Sequence, residues 1–253
     1  MSQPTIRKQR IRRSSVKTRL IVFGTLAVLL LLFSIFSEYL TPYDPYLQDL
    51  SNAKAPPSAE HLLGTDRYGR DMLSRVIVGS RTSIFSTLLL VAVITVLGTA
   101  VGVFCGWNGR WMDTVLMRIS DMFLAFPGLV FALAVAGSLG GGLQNAIIAL
   151  AAISWPKYAR IARSQTLAQK ETVWMKAAKL SGSSSGKLIF KHILPNIIGP
   201  ILVTAMLDIG TMMMELAALS FLGLGAKPPT AEWGSMMSDT RSLMTTSPWI
   251  TFS

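Results

Sequence analysis

The chain has 253 residues, of which 51% are hydrophobic and 15% charged, with a net charge of +11 and a mean hydropathy of +0.46. Soluble domains usually carry about 25% charged residues, so this composition favours a membrane protein with several apolar spans. The aromatic residues lie in apolar runs rather than among basic residues, which argues against nucleic-acid binding. The single cysteine, Cys105, excludes an internal disulfide and a cysteine metal cluster.

The N-terminal region predicts a basic tail followed by a membrane anchor. Residues 1–19 contain seven basic side chains, and residues 20–37 are mostly Leu, Val, Ile and Phe. A bilayer core of about 30 Å requires about 20 helical residues. A secretory signal peptide, the alternative, has a shorter apolar region that ends at a small-residue cleavage site. The length of the run and the Phe36-Ser37-Glu38 that follows favour an uncleaved anchor over 20–37.

Four further apolar runs follow a polar loop over 38–82 and predict an all-α polytopic membrane bundle with a core over 83–253. These runs are 83–105, 114–138, 145–154 extending toward 161, and 197–222. The third of these four is the weakest, because Trp155-Pro156 interrupts it. The glycine-rich stretch 137–142 predicts a tight turn between two spans. Residues 248–253 look like the start of a sixth, incomplete span.

The distribution of Lys and Arg predicts the orientation. Cytoplasmic loops of membrane proteins are enriched in these residues. Sixteen basic residues and one acidic residue fall in segments 1–19, 106–112 and 157–195, whereas segments 38–82 and 223–247 contain seven basic and eight acidic residues. We therefore expect the N-terminus and segment 157–195 on the cytoplasmic side, and loop 38–82 outside.

Segment 157–195 contains a predicted docking element. Residues 170–181 predict a short helix in which Ala177 and Ala178 favour helix formation, and Gly182 fits its C-terminal end. A flexible turn follows, 187–193 resumes as a helix, and Leu194-Pro195 is expected to end it before the next span. A small-faced helix held at both ends can dock in a groove on a partner. An ordinary basic loop is the alternative interpretation.

Two acidic residues in the last apolar run suggest a translocation path. Asp208 and Glu215 are seven residues apart and share one helix face, with Met212 between them. Charged residues in a span should face a cavity or a partner, since inserting a central acid costs about 2.5–3.5 kcal/mol. A cation-friendly path and a packing contact with a partner subunit are both open. The neighbouring methionines are expected to pack, and no metal site is predicted.

The outer loop contains a compact motif between His61 and Asp71. Gly64 and Gly69 allow tight turns, while charged side chains can tie the loop through charge-assisted hydrogen bonds. The motif is interpreted as structural support for the outer mouth of the bundle rather than as a substrate contact. Its residues are Gly64, Thr65, Asp66, Gly69, Arg70 and Asp71.

The spacing of Ala177-Ala178, Gly182 and Leu194-Pro195 resembles the signature cytoplasmic loop of permease subunits in ABC importers. In that family the loop forms a coupling helix that docks on the ATPase subunit. Lys176 stands where the family usually has an acidic residue. Further stretches resembling peptide and nickel importer permeases are 61–83, 121–127 and 219–234, so the resemblance covers roughly residues 20–250.

The resemblance implies an ABC type I importer permease fold, normally with six spans, in the cytoplasmic membrane of a bacterium. It implies a second permease subunit as a heterodimer partner, two ATP-binding subunits that hold ATP and Mg²⁺, an extracytoplasmic substrate-binding protein and membrane lipid. It implies no cofactor on this chain and no nucleic acid. The residues it assigns to ATPase coupling are Lys176, Ala177, Ala178, Gly182, Leu194 and Pro195.

The motifs indicate the family more clearly than they indicate the substrate. Residues 207–213 and 230–234 look most like the nickel branch, so nickel or a nickel chelate is slightly favoured over dipeptides and oligopeptides. No catalytic constellation is evident: the stretch 181–188 lacks the first glycine and the Ser or Thr of a phosphate-binding loop. An enzyme is therefore not expected. The alternatives are an ion-coupled secondary transporter that uses Asp208 and Glu215, and a non-transporting assembly protein.

Overall fold

The computed structural model describes residues 5–252, with side chains from 16 to 251. Five basic residues of the predicted tail therefore have no described side chains. In this range every named element is a helix, and the one β-type pairing is an isolated bridge between Thr65 and Asp71. The all-α prediction is therefore confirmed. The α-helices are α1 Thr5–Ile35, α2 Ser37–Leu40, α3 Met72–Asn108, α4 Arg110–Leu124, α5 Gly128–Ser138, α6 Leu143–Lys170, α7 Val173–Leu180, α8 Ser185–Leu188, α9 Leu194–Phe221, α10 Trp233–Thr240 and α11 Pro248–Phe252.

Three helices are long and apolar enough to cross a membrane: Val16–Ile35, Met72–Asn108 and Ser185–Phe221. A fourth crossing results if α4 and α5 are counted as one bent span. Helix α6 has 28 residues, which is a sufficient length, but Pro156 and three basic residues interrupt its apolar character. The fifth span therefore stays a prediction.

The apolar run over 114–138 is not one straight helix, because the chain bends by 93° between α4 and α5. Its assignment to one span stays a prediction. Pro127 precedes α5 in an extended conformation, with φ −60° and ψ 116°. Proline has no N–H to donate and disfavours helical geometry at the residue before it, Phe126. The polar turn expected at 137–142 is present, since Gly140, Gly141 and Gly142 all have positive φ.

Two prolines that were expected to interrupt helices lie inside them instead. Helix α6 continues through Pro156, which is buried. Leu194-Pro195 does not end the helix at 187–193: α8, a π-helical turn over Ile189–Ile193 and α9 form one continuous element over Ser185–Phe221. The N–H of Leu194 donates to the carbonyl of Ile189, five residues back. The wider π turn accommodates the proline without a break.

Helices α3 and α6 pack in direct backbone contact. Gly98, Gly102 and Gly106 lie four residues apart on one face of α3. A Cβ atom on Gly102 would lie 2.2 Å from the carbonyl oxygen of Ala159 and 2.7 Å from the Cβ of Ala162. Small residues at this spacing allow close helix approach in membranes, where packing rather than the hydrophobic effect drives association. Helix α6 is thereby fixed against α3 along most of its length.

The main apolar core lies between α3, α5, α6 and α9. Its largest fully buried side chains come from all these helices except α5, which contributes the smaller Ala132 and Ala136. The tightly enclosed members are Leu90, Ile94, Leu150, Tyr158, Ile197, Leu216 and Leu219. Helix α1, in contrast, has only 6% of its apolar window buried. Its outer surface is available for lipid or another subunit.

The 61–71 segment closes the start of α3. Asp71 is the N-cap of α3 and accepts hydrogen bonds from Ser74 N at 2.8 Å and Ser74 Oγ at 2.6 Å. Asp66 accepts from Arg70 Nε at 2.6 Å. Gly69 has φ +74°, and a Cβ there would lie 1.7 Å from the carbonyl oxygen of Asp49. Glycine is therefore required for the tight turn that lets the loop fold back.

Helix α10 is held against α3 by a buried cap. Glu232 is 1% exposed and accepts from Gly234 N at 2.9 Å and Ser235 N at 2.8 Å. The indole of Trp233 donates to the carbonyl of Val76 at 3.0 Å, and Ser83 Oγ accepts from Trp233 N at 3.1 Å. The segment after α9 thus returns to the same end of α3 as the 61–71 segment.

Replacing Gly102 tests the α3–α6 contact. We expect Gly102→Ala to lower the free energy of unfolding by about 1–3 kcal/mol, because the added methyl overlaps the backbone of α6. The melting temperature of the detergent-solubilised protein should fall accordingly. Gly24→Ala on α1 is the matched control, since a Cβ there meets nothing within 4 Å. The measurement is the melting temperature by fluorescence-detected size exclusion. Equal melting temperatures of the two variants would contradict the packing role.

Candidate functional site

The short helix α7 is bounded by local chemistry at both ends. Helix α6 extends to Lys170, and a turn at Glu171-Thr172 separates it from α7, so the helix expected over 170–181 is shorter. At the other end Gly182 has φ +77° and its N–H donates to Lys179 O at 3.0 Å. Ser183 N donates to Ala178 O at 3.2 Å. These two bonds form a Schellman motif, which confirms the predicted glycine end of the helix.

Helix α7 is attached to the bundle through the end of α3. Met175 is fully buried in the main core. Lys179 places its ammonium 4.8 Å from the centroid of the Trp107 ring, a cation–π contact. Lys170 donates to the carbonyls of Trp107 at 2.6 Å and Gly106 at 3.3 Å, which satisfies carbonyl groups in the last turn of α3.

The outward face of α7 and its flanks is apolar and basic. Leu180 is 91% exposed, Val173 84% and Phe190 73%. Lys176 is exposed and pairs with Glu171 at 3.0 Å. The hydrogen bond and the charge of Lys176 lower the pKa of the Glu171 carboxyl below its ordinary value. A protruding apolar surface with charges at its edge is typical of a protein–protein contact.

The residues assigned to coupling fall on two connected elements. Lys176, Ala177 and Ala178 lie on α7, with Gly182 at its end, whereas Leu194 and Pro195 begin α9. Ala178 and Leu194 pack against the main core, and Lys176 and Ala177 are exposed. The ring of Trp174 lies 5.6 Å from that of His192 in the π turn. A displacement of α7 therefore reaches α9 through packed side chains and a continuous helix.

Asp208 is a buried, paired carboxylate. Its side chain is 7% exposed, and its Oδ1 accepts from Lys157 Nζ at 2.6 Å. Its Oδ2 accepts from Tyr158 Oη at 2.9 Å. Residues 157–170, which the sequence predicts to lie in a cytoplasmic segment, continue the helix α6. Both donors to Asp208, Lys157 and Tyr158, come from this helix, which packs closely against α3.

The other residues of the suggested path are in different environments. Met212 is 7% exposed and belongs to the main core, whereas Glu215 is half-buried. The structure thus places one of the three, Asp208, in an ion pair, one in apolar packing and one at a partly accessible position. Their assignment to a translocation path stays a prediction.

Helix α6 carries a row of basic residues, and each has an acidic partner on another helix. Arg160 pairs with Asp121 of α4. Arg163 forms two hydrogen bonds with Asp113 of α4, at 2.5 and 2.6 Å. Lys157, Arg160 and Arg163 are spaced by three residues. That spacing places them on one helix side and could have indicated the row in the sequence.

The 61–71 motif lies at the far end of α3 from α7. Thr65 bridges to Asp71, and His61 Nδ1 lies 2.9 Å from Asp71 Oδ1. Arg70 pairs with Asp66 at 2.6 Å. The predicted role of the 61–71 motif as structural support for the outer mouth stays a prediction. Among the residues with described side chains, no group of three or more His, Cys, Asp and Glu could hold a metal ion.

Comparison with known proteins identifies related chains. Residues 98–252 match the family model described as the binding-protein-dependent transport system inner membrane component. Residues 9–57 match the N-terminal transmembrane domain of oligopeptide transport permease C. The first match alone covers more than half of the chain.

Curated relatives agree with these matches. The chain is 41% identical to a dipeptide transport system permease of Alkalihalophilus pseudofirmus over 92% of this chain and 77% of the relative. It is 39% identical to a nickel transport system permease of Escherichia coli K12, over 93% and 84%. It is 38% identical to a glutathione transport system permease of Pectobacterium atrosepticum, over 90% and 76%.

These similarities extend over almost the whole chain, and the all-helical bundle with apolar spans agrees with them. The relatives are transport subunits and not enzymes. The chain therefore belongs to the family of permease subunits of binding-protein-dependent ABC importers for dipeptides, oligopeptides and nickel.

Proposed function

We propose that this chain is one of two permease subunits in an importer that a separate ATPase pair drives, with α7 as the element on which the ATPase docks. The observation that carries this proposal is the exposed apolar and basic face of α7, which contacts the π turn before α9 through Trp174 and His192. ATP and Mg²⁺ would be held by the partner subunits. This chain would convert their closure into movement of its spans.

The contacts of α7 describe how that movement would travel. A push on α7 acts on Met175 in the core and on Trp107 at the end of α3. It acts on α9 through the pair Trp174–His192 and the π turn. Because α3, α6 and α9 share one packed core, they respond as a unit, which is the requirement for alternating access by rigid-body rocking.

The remaining partners and the orientation are also proposed. A second, different permease subunit would cover the exposed charged face of α6 and part of α1. A substrate-binding protein would dock at the end that carries the 61–71 motif. The Lys and Arg asymmetry supports a cytoplasmic N-terminus in the inner membrane of a bacterium. This orientation puts α7 on the side where ATP is available.

For the substrate we favour a small peptide or peptide-like compound over nickel. Relatives named for dipeptide and glutathione transport support this choice, although a relative named for nickel is of similar identity. The structure offers a second argument, since Asp208 is neutralised by Lys157 and is not free to attract a divalent cation. We therefore propose a peptide substrate in place of the nickel that residues 207–213 and 230–234 slightly favour.

Uptake in cells that lack this chain tests the proposed function. We expect loss of labelled dipeptide uptake, restored by the wild-type gene, with nickel uptake unchanged. Loss of nickel uptake alone would overturn the peptide assignment. Uptake that persists without the ATPase subunits and follows an ion gradient would instead support the secondary-transporter alternative, and stable complexes without flux would support the assembly protein.

Leu180→Glu tests docking at α7. Because Leu180 is 91% exposed, the variant should fold normally, but its charge must be desolvated when a partner covers it. We expect co-purification of the ATPase subunit to fall at least about tenfold, corresponding to about 1.4 kcal/mol. Leu62→Glu, in the 61–71 segment, is the control at a similarly exposed leucine. Equal co-purification by both variants would contradict docking at α7.

Gly182→Ala tests the position of α7 rather than its surface. Alanine at φ +77° costs about 1–2 kcal/mol, so the Schellman motif should be weakened and α7 displaced. We expect reduced transport per ATP hydrolysed in proteoliposomes. Gly186→Ala in α8 is the matched control, because Gly186 has no positive φ and a Cβ there meets nothing within 4 Å. An equal loss in both variants would contradict a specific role for the glycine end.

A further inference from the structure

The pair Lys157–Asp208 lies at the middle of two long helices. Lys157 is the fifteenth of 28 residues in α6, and Asp208 is the fifteenth of 28 in α9. At 1.5 Å per residue, Lys157 is about 20 Å from both ends of α6, and Asp208 is about 20 Å from both ends of α9, the part of the continuous element Ser185–Phe221 that follows the π turn. An apolar core of about 30 Å centred on these helices would have the pair near its midplane.

The two partners differ sharply in accessibility. The side chain of Asp208 is 7% exposed, whereas that of Lys157 is 51% exposed. Both carboxylate oxygens of Asp208 already accept a hydrogen bond, one from Lys157 and one from Tyr158. An ammonium has three N–H donors, and among the described residues Lys157 uses one of them. The group of the pair that another molecule can reach is therefore the positively charged ammonium of Lys157, which can donate further hydrogen bonds.

A half-exposed ammonium near the midplane cannot face lipid at low cost. Ionisable residues in spans nearly always face a bundle interior or a water-filled cavity. The exposed side of Lys157 must then face the space between this subunit and its partner. Glu215, two turns further along α9, is half-buried and is the nearest further acid on that helix. Glu215 lies about 10 Å along the axis of α9 from Asp208, so the accessible groups near the pair are the Lys157 ammonium and the Glu215 carboxyl.

We propose that Lys157 is a specificity-determining residue that contacts the carboxylate of the substrate during translocation, with Asp208 and Tyr158 as positioning residues. This inference rests on the proposed function, since it requires a pathway beside α6. It assigns a substrate class, carboxylate-bearing compounds such as peptides, and it disfavours a free divalent cation. Lys157 would hold the substrate through hydrogen bonds and charge, without any covalent step.

Charged thiol reagents can measure the field that Lys157 produces in the pathway. The complete importer is reconstituted with a Cys105→Ala background and a probe cysteine from Ser154→Cys, three residues from Lys157 on the same side of α6. The readout is the ratio of reaction rates with anionic and cationic methanethiosulfonate reagents. We expect Lys157→Met to lower this ratio at least about fivefold, as expected for loss of one unit charge at short range.

Two further variants separate electrostatics from misfolding. Asp208→Asn keeps the ammonium and removes its counter-charge, so the ratio should rise. The double variant Lys157→Met/Asp208→Asn leaves no unpaired buried charge, and its ratio should fall at least about fivefold below that of Asp208→Asn. Lys227→Met should leave the ratio unchanged, because Lys227 lies in the segment after α9 and donates to the carbonyl of Gly140. Dipeptide uptake should fall in Lys157→Met and be retained in Lys157→Arg.

The outcomes distinguish the two proposals. A probe cysteine that neither reagent modifies, or a ratio that Lys157→Met and the double variant leave unchanged, would overturn the role of Lys157. If the ATPase subunits still co-purify and dipeptide uptake continues in that case, the proposed function stands. If the ratio shifts as expected but no ATPase co-purifies, the proposed function fails instead.

Discussion

The close packing of α3 against α6 is the constraint on which the other features depend. Gly98, Gly102 and Gly106 let the two backbones touch, so the inner side of α6 is committed to this contact. Away from this contact, Lys157 and Arg160 pair with carboxylates of α9 and α4. Arg163, whose backbone adjoins Gly102 and Gly106, pairs with Asp113 of α4. One tight helix pair thereby determines where the charges of the bundle lie and which helices they connect.

The same contact positions the docking element. Helix α6 ends beside the last turn of α3, where Lys170 donates a hydrogen bond to the carbonyl of Trp107. The ammonium of Lys179 lies over the ring of Trp107 in a cation–π contact. Helix α7 follows after two residues and cannot move far without disturbing these contacts. Its other end continues through the π turn into α9. A partner that binds α7 would therefore be linked through it to both α3 and α9, which are two of the longest helices in the described part of the chain.

Features that depend on local chemistry could be predicted from the sequence. The glycine end of α7 and the turn at 137–142 were predicted because positive φ restricts the choice of residue to a few types. The bend at Pro127 was missed because apolar composition alone was used, although the proline was visible. Pro156 and Pro195 were expected to break helices and do not. Tertiary packing of α6 on α3 and the π turn override that tendency.

Features that depend on contacts between distant residues could not be predicted. The sequence indicated that Asp208 must face a cavity or a partner, but only the fold shows that its partner is Lys157, 51 residues earlier. The sequence predicted a cytoplasmic segment from residue 157 onward, and only the fold shows that α6 continues to Lys170. The residues assigned to coupling came from the spacing that resembles the family's loop, and their role stays a prediction. The contacts of Lys170 and Lys179 with Trp107, which attach this region to α3, required the tertiary structure.

The π turn between α8 and α9 has a consequence for how such a chain can vary. A π turn contains one residue more than the α-helical register, so the elements before it are rotated by about 100° relative to an unbroken helix. Losing that residue would rotate α8, and the proposed docking surface on α7 before it, by that angle, while the side chains of α9 kept their positions. The π turn would thereby allow the orientation of the proposed docking surface to change without changing the packing of α9 in the bundle.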